Sequence, residues 1–351
     1  MKQAITFETA TQALPRQLFS GAVDARRAKE LEKHLADVEA DLLEHIQFAS
    51  PVANASARYL AAAGGKRVRP LLTLLVSYLG DGPTAEVKQM AQATELTHLA
   101  SLYHDDVMDE ATLRRGVPAA HKVWSNSVAI LAGDLLFARA SSLVAGQGEE
   151  AILLQARTFE RLCLGQLHET VGPQEGEEPI PHYLQVLADK TGALIASAAR
   201  MGALVSNAPR EYLEPVTQYG EEIGLAFQLI DDVIDLSPQK ENTGKRAGTD
   251  LRAGVDTLPL LLLKQRAAAD PEAQELLTRI EQGVAAVADG ADPAVMDREV
   301  TELREHRVTA DTENEARRAA ERAIGWLDEL PEGSVRRGLK KLAEAIVDRE
   351  G

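Results

Sequence analysis

Two aspartate clusters of one design mark this chain: Asp105-Asp106-Val107-Met108-Asp109 and Asp231-Asp232-Val233-Ile234-Asp235. In each, carboxylates at i and i+4 fall on one face of a helix. Three like charges within five residues repel one another unless a cation sits among them. Ligands that are all oxygen suit a hard divalent ion, magnesium before calcium. Magnesium held by carboxylates keeps coordination positions for phosphate oxygens, so the expected partner is a phosphate or diphosphate. One DDxxD alone could be a solvated helix end. A second copy, with basic residues downstream of both, argues for a site.

The cations follow the same logic. His98, Ser101, Asp105 and Asp109 step by three, four and four and so share one helical stripe, with Arg114 and Arg115 close behind. Upstream lies Gly64-Gly65-Lys66-Arg67-Val68-Arg69-Pro70, a glycine turn with three cations before an apolar helix. Paired arginines grip phosphate oxygens with planar forks, a lysine acts as a point charge, and a helix start favours anions. Such a charge run is usually solvated, but here it abuts strongly apolar sequence. Near the second cluster, Gln228 precedes Asp231 by three residues, and Lys245 sits in the loop beyond. Lys190-Thr191-Gly192 sits toward the head of another helix. Two acidic clusters and several cations imply two diphosphates, one gripped through metals and one directly by Lys and Arg. That suits a reaction in which one diphosphate leaves and the other stays.

The elements that must position these groups read as helix after helix. Aromatic residues are 4% of the chain, and no run of apolar-polar alternation suggests a strand. Helices are predicted over 26–48, 53–63, 70–79, 85–109, 127–144, 149–169, 184–205, 212–236 and 257–269, with an amphipathic remainder to Gly351. Each aspartate cluster falls at a helical C-terminal end. Residues 237–254 read as a mobile polar loop. No fixed-period repeat or low-complexity linker divides the chain. The expectation is an all-α fold in a single domain spanning 1–351, with 1–25 as a flexible N-terminal extension.

The length of 351 residues, 45% hydrophobic and 26% charged, is that of a globular protein with a sizeable core. A net charge of −16 argues against nucleic acid and against electrostatic attachment to an anionic membrane. The single cysteine, Cys163, excludes an internal disulfide and reads as a half-buried apolar residue. Met1 to Gln17 contains Glu8 and no long apolar run, unlike a secretory signal. No stretch is expected to span a bilayer. The chain reads as cytoplasmic, with at most transient membrane contact when an apolar product leaves.

With these residues in hand, the sequence resembles the trans-isoprenyl diphosphate synthases, or polyprenyl synthetases. The motifs are GGKRVRP (Gly64 to Pro70), HDDVMDEATLRRG (His104 to Gly116), AGDLLFARA (Ala132 to Ala140), KTG (Lys190 to Gly192), FQLIDDVIDLS (Phe227 to Ser237) and GTDLRAGVDTLPLLLL (Gly248 to Leu263). The overall pattern is most similar to actinobacterial long-chain members that supply quinone side chains. The resemblance implies a helical bundle around a central cavity, a homodimer, and three magnesium ions per active site.

It also implies roles. Asp105 and Asp109 would ligate two magnesium ions, with Asp106 in support. Asp231 would take the third, with Asp232 and Asp235 joined to that metal centre through water or hydrogen bonds. Arg114, Lys190, Thr191, Gln228 and Lys245 would hold the allylic diphosphate. Lys66, Arg69, His98 and Arg115 would hold isopentenyl diphosphate. Departure of the allylic diphosphate would leave a carbocation, attacked by the double bond of isopentenyl diphosphate in a head-to-tail 1'-4 condensation. Where the family often has Lys after the Asp-Leu-Arg-Glu-Gly run, this chain has Val255. In the family, bulky aromatics four and five residues before the first aspartate floor the tunnel for the growing tail. Here those positions are Ser101 and Ala100, with Thr97 a turn deeper, so an all-trans product longer than geranylgeranyl diphosphate is expected, as for menaquinone side chains. Alternatives are a geranylgeranyl diphosphate synthase or a non-catalytic subunit of a heteromeric synthase. A class I terpene cyclase would have no need of GGKRVRP or Arg114-Arg115.

Overall fold

The computed structural model describes residues 25–237 and 246–349. The predicted extension up to residue 24 and the predicted ligand Lys245 lie outside them. The fold is all-α, and among the described residues the strands are two dipeptides.

The helices most relevant to the site are α1 (Ala25–His45), α2 (Pro51–Ala62), α3 (Val68–Val76), α4 (Ala85–Met108), α5 (Ala120–Val123), α6 (Asn126–Val144), α7 (Glu149–Val171), α8 (Pro179–Leu187), α9 (Ala193–Val205) and α10 (Leu213–Asp235). The C-terminal part adds α11 (Thr249–Arg252), α12 (Leu258–Ala267), α13 (Pro271–Ala288), α14 (Asp297–Glu305), α15 (Arg307–Trp326) and α16 (Ser334–Val347). Local chemistry starts several of them. Ser50 caps α2, accepting from Ala53 N, with Pro51 in the first turn, where its missing N–H costs nothing. Thr84 accepts from Val87 N at the start of α4.

Helix α4 lies centrally, against α6 on one side and α3 and α9 on the other; α10 packs on α9 and α15. Leu31 and Leu35 of α1, Leu71 to Val76 of α3, Ala198 and Ala203 of α9, Tyr219 of α10 and Leu339 of α16 share one buried cluster, which ties early and late segments together. A second cluster joins α2, α4 and α6, and a third sits under α12, α13 and α14.

The structure departs from the sequence reading at four places. The break at Gly116 and Pro118 is a hairpin, β1 (Leu113–Arg114) on β2 (Val117–Pro118), turned at Arg115 (φ 52) and Gly116 (φ 78). Positive φ at both central residues is the turn type whose twist matches paired strands. The helix predicted over 184–205 is interrupted by a π turn at Ala188–Gly192. Helix α6 with its following turn, Asn126–Gln147, is long and apolar enough to cross a bilayer, contrary to expectation: 22 residues, mean hydropathy 1.7. One face packs on α4, while Ile130 and Leu131 on the other are exposed. Cys163 is exposed rather than half-buried.

Candidate active site

The ends of α4 and α10 open on one cavity of about 630 Å³, and residues from both aspartate clusters line it: Asp105 from α4 and Asp231 from α10. Also on its wall are Lys66 and Arg69 from the glycine turn and α3, His98 and Ser101 from α4, Arg114 and Arg115 from the hairpin, Lys190 and Thr191 from the π turn, and Gln228. Groups 165 residues apart in sequence (66 to 231) thus share one wall-to-wall space.

The carboxylates divide by environment. Asp105 is partly buried; burial pushes its pKa up to about 6, with Asp109 adding to the rise and Lys190 opposing it. Burial also raises Asp231, against the pull of Arg349 and Lys66. Asp106 is fully buried, one oxygen accepting from Arg114 Nε at 2.6 Å and the other, Oδ2, buried without a hydrogen-bond partner. Asp232 is also buried; its Oδ2 accepts from Tyr183 OH at 2.7 Å, and burial pushes its pKa to about 7. Asp109 lies one residue past α4, exposed and off the cavity wall. Asp235 also lies off that wall: its carboxylate accepts from Thr249 N at 3.3 Å and Asp250 N at 3.1 Å, anchoring α11 to the end of α10.

The cations form two groups. Arg67, read with the glycine turn, is buried between Glu39 and Glu95, with Nη1 donating to Glu95 at 2.6 Å and Nη2 to Glu39 at 2.6 Å. Burial works against its charge, but these carboxylates outweigh burial and raise its pKa. Its role is to brace the turn, and Gly65 permits the approach, since a Cβ there would lie 2.9 Å from Arg67 Nη1. Arg115 Nη1 donates to Leu60 O at 3.1 Å and to Gly64 O, which fixes the hairpin on that turn. Arg69 keeps a buried Nε with no partner, and desolvation pushes its pKa down to about 10. His98 is held neutral: burial first, then Arg69 and Arg115, push its pKa well down. On the opposite side Lys190 donates to Glu169 of α7, and Thr191 Oγ1 donates to Gln228 Oε1 at 3.3 Å.

The sequence reading passed over Arg349. Its Nη1 lies 2.9 Å from Asp231 Oδ1 and its guanidinium stacks over the Phe227 ring, on the same cavity wall. Nothing in its spacing signalled this, because α16 delivers it from the far end of the chain. Glu95, a charged residue in the apolar middle of α4, was a signal that could have been taken. Val255, where a lysine was expected, is exposed and off the wall.

Of the three candidate chain-length positions, Ser101 lines this cavity. Thr97 lines a second, deeper void of about 10 Å³ with Met90, Thr94, Gln155, Thr158 and Met201. Ala100 lines neither; it is fully buried on the α6 side of α4, its carbonyl close to Gly133.

The residues fit a divalent ion that shares its coordination with substrate. Asp105 and Asp231 are half-buried carboxylates that face the cavity, and Asp106 behind them has a buried oxygen without a hydrogen-bond partner. Among the described residues no three carboxylate, histidine or cysteine groups converge on one point, as an all-protein cage would require.

A polyprenyl synthetase family model matches residues 50–292. The nonaprenyl diphosphate synthase of Mycobacterium tuberculosis is 40% identical over 329 residues, 93% of this chain and 96% of that protein. Heptaprenyl diphosphate synthase component 2 of Geobacillus stearothermophilus is 34% identical over 91% of this chain and 97% of its own length. A polyprenyl synthase of Caulobacter crescentus, crystallised with calcium and isoprenyl diphosphate, superposes with a TM-score of 0.81 at 32% identity, covering 94% of this chain and 99% of that one. The chain belongs to the polyprenyl synthetase family, prenyltransferases that condense isopentenyl diphosphate with an allylic diphosphate.

Proposed function

We propose that this chain is a single-domain, magnesium-dependent synthase that extends an allylic diphosphate to an all-trans product longer than geranylgeranyl diphosphate, as for menaquinone side chains. The observation that carries the product length is the small side chain of Ser101 on the cavity wall and the void beneath it at Thr97. Relatives named as nonaprenyl and heptaprenyl synthases support the same direction.

In this reading Asp105, Asp109 and Asp231 hold up to three magnesium ions; Asp106, Asp232 and Asp235 brace them through Arg114, Tyr183 and the α11 amides. Bound there, magnesium supplies charge neutralisation for the departing diphosphate. Arg114, Lys190, Thr191 and Gln228, with Lys245 from outside the described residues, orient the allylic diphosphate. Lys66, Arg69, Arg115 and neutral His98 hold isopentenyl diphosphate. The allylic C–O bond breaks and its electrons leave with the diphosphate. The isopentenyl double bond then attacks the cation, and a proton passes to the released diphosphate. Leu72, Leu102, Ile195, Ile223 and Phe227 line the cavity and keep water from the cation.

The active form in this reading is a homodimer. Ile130 and Leu131 on α6 with Ile152, Leu153, Leu164 and Leu167 on α7 are between 42% and 59% exposed, an apolar face that suits a second copy of the chain. The acidic, single-cysteine composition fits a cytoplasmic enzyme with at most brief membrane contact.

Product analysis of the purified chain with farnesyl or geranylgeranyl diphosphate as primer tests the proposal. Both primers should give products longer than geranylgeranyl. A run that stopped at the twenty-carbon stage would leave the short-chain alternative instead.

A further inference from the structure

Lys190 and Thr191 reach the cavity from a π turn, Ala188–Gly192, and such a turn widens a helix at a cost its surroundings must meet. Ala193 N reaches back to Ala188 O across the widened turn. Two glycines make room on either side. A Cβ on Gly165 of α7 would lie 3.0 Å from Asp189 Cβ and from Lys190 Cγ, and one on Gly224 of α10 would lie 2.5 Å from Gly192 Cα.

One side chain bridges this wedge. Arg161, a turn before Gly165 on α7, donates through Nε to Asp189 Oδ1 at 2.7 Å and through Nη2 to Ala188 O at 3.3 Å. The same guanidinium reaches Glu221 of α10, Nη2 donating to Oε2 at 3.1 Å and Nη1 to Oε1. Asp189 is buried, and its second oxygen accepts from Gln185 Nε2 of α8 at 2.9 Å. Glu221 stands two helical turns before Gln228, which accepts from Thr191 Oγ1. Arg161 itself does not line the cavity. It ties together α7, the π turn and α10, the three elements that aim Glu169, Lys190, Thr191 and Gln228.

We infer that Arg161 is a positioning residue for the allylic diphosphate, acting through Asp189 and the Ala188 carbonyl to hold Lys190 and Thr191 at the cavity wall. This rests on the proposed allylic site around Lys190. The isopentenyl side is built from α3, α4 and the hairpin, and among the described residues no hydrogen bond links it to this network, so the two substrates should respond differently. A fork reaching three acceptor residues on two elements, the π turn and α10, cannot be replaced by a single donor.

The test is steady-state kinetics of Arg161→Gln and Asp189→Asn, alone and combined, with each substrate varied, alongside Lys190→Ala and thermal melts. Arg161→Gln should lower kcat/KM for the allylic primer about tenfold, with KM for isopentenyl diphosphate within about twofold. Its melting temperature should fall by less than about 4 °C. The double variant should lose less than the product of the two single losses, because the two residues share the Arg161–Asp189 bond. If the variant fails to fold, Gln185→Leu, which removes the outer bond on Asp189, should move primer kcat/KM the same way by a smaller factor. Equal loss for both substrates together with a lower melting temperature, or no change in either, overturns the inference. If Lys190→Ala also leaves the primer unaffected, the allylic site is misplaced and the inference falls with it; if Lys190→Ala alone impairs the primer, only the role of Arg161 fails.

Discussion

Arg349 and Asp231 are paired across the cavity wall at 2.9 Å, with the guanidinium held over Phe227. The last described residue of the chain thus occupies the carboxylate that the second aspartate cluster offers to a metal. The pair is partly exposed, with side chains 27% and 35% accessible, so its worth is on the order of 0.2–1 kcal/mol.

That pairing makes Arg349 a competitor of magnesium for Asp231. Arg349→Gln should lower the magnesium concentration giving half-maximal velocity, by up to about fivefold for a pair of this strength. A magnesium titration of initial rates reads this directly. A higher magnesium requirement in the variant would mean that Arg349 helps to hold substrate rather than competing for its metal.

His98 gives a pH prediction with a definite sign. Burial and the surrounding Arg69, Arg115, Arg67 and Arg114 hold its folded pKa well below the ordinary value of about 6.5. A lowered histidine pKa means that the fold binds fewer protons there than the unfolded chain. Its contribution to stability is present above pH 6.5 and is lost as pH falls below it. Between pH 6.5 and 8 the imidazole stays neutral, so KM for isopentenyl diphosphate should carry no titration from this residue. A wild-type KM that changed around pH 6.5, and a flat profile in His98→Gln, would contradict the neutral assignment.

Gln155 lines the deep void, where the proposed product tunnel would end. Thr94, Thr97 and Thr158 around the deep void donate their hydroxyls to Met90, Ala93 and Leu154 of their own helices, whereas the buried Gln155 Nε2 has no partner. Met90, also lining the void, is fifteen residues before Asp105 on α4, roughly 22 Å along the helix at about 1.5 Å per residue. Gln155→Ala removes an unsatisfied buried donor and enlarges the space, so it should lengthen the products at little cost in stability. Ser101→Phe should shorten them. Ala100→Phe, the substitution the family resemblance recommends, meets α6 instead and tests packing. Chromatography of dephosphorylated products would contradict this floor if Gln155→Ala left the distribution unchanged or shorter.

Much of the fold was legible because its cues are local. Three- and four-residue apolar steps such as Leu31, Leu35, Val38, Leu42 and Ile46 give a helix whose buried face is these residues, as observed. The DDxxD spacing is a local cue of the same kind: it marks acidic helix ends, from which Asp105 and Asp231 line the cavity while Asp109 and Asp235 lie off its wall. What sequence could not give is long-range: whether Asp235 faces the cavity or the α11 amides depends on where residues 248–250 return. Arg67, Arg69 and Arg115 look alike in the sequence, and only the placement of Glu39 and Glu95 makes Arg67 a brace. The π turn is equally silent, since its residues suit a plain helix and the wedge comes from α7 and α10.

The most direct test follows prenyl transfer by the purified chain, with farnesyl diphosphate and labelled isopentenyl diphosphate, through removal and return of magnesium, for wild type, Asp105→Asn and Asp231→Asn. Product formation should vanish with excess chelator, return with magnesium, and fall by about a hundredfold or more in each variant. Undiminished turnover in chelator, or in either variant, would contradict a site built from both acidic helix ends.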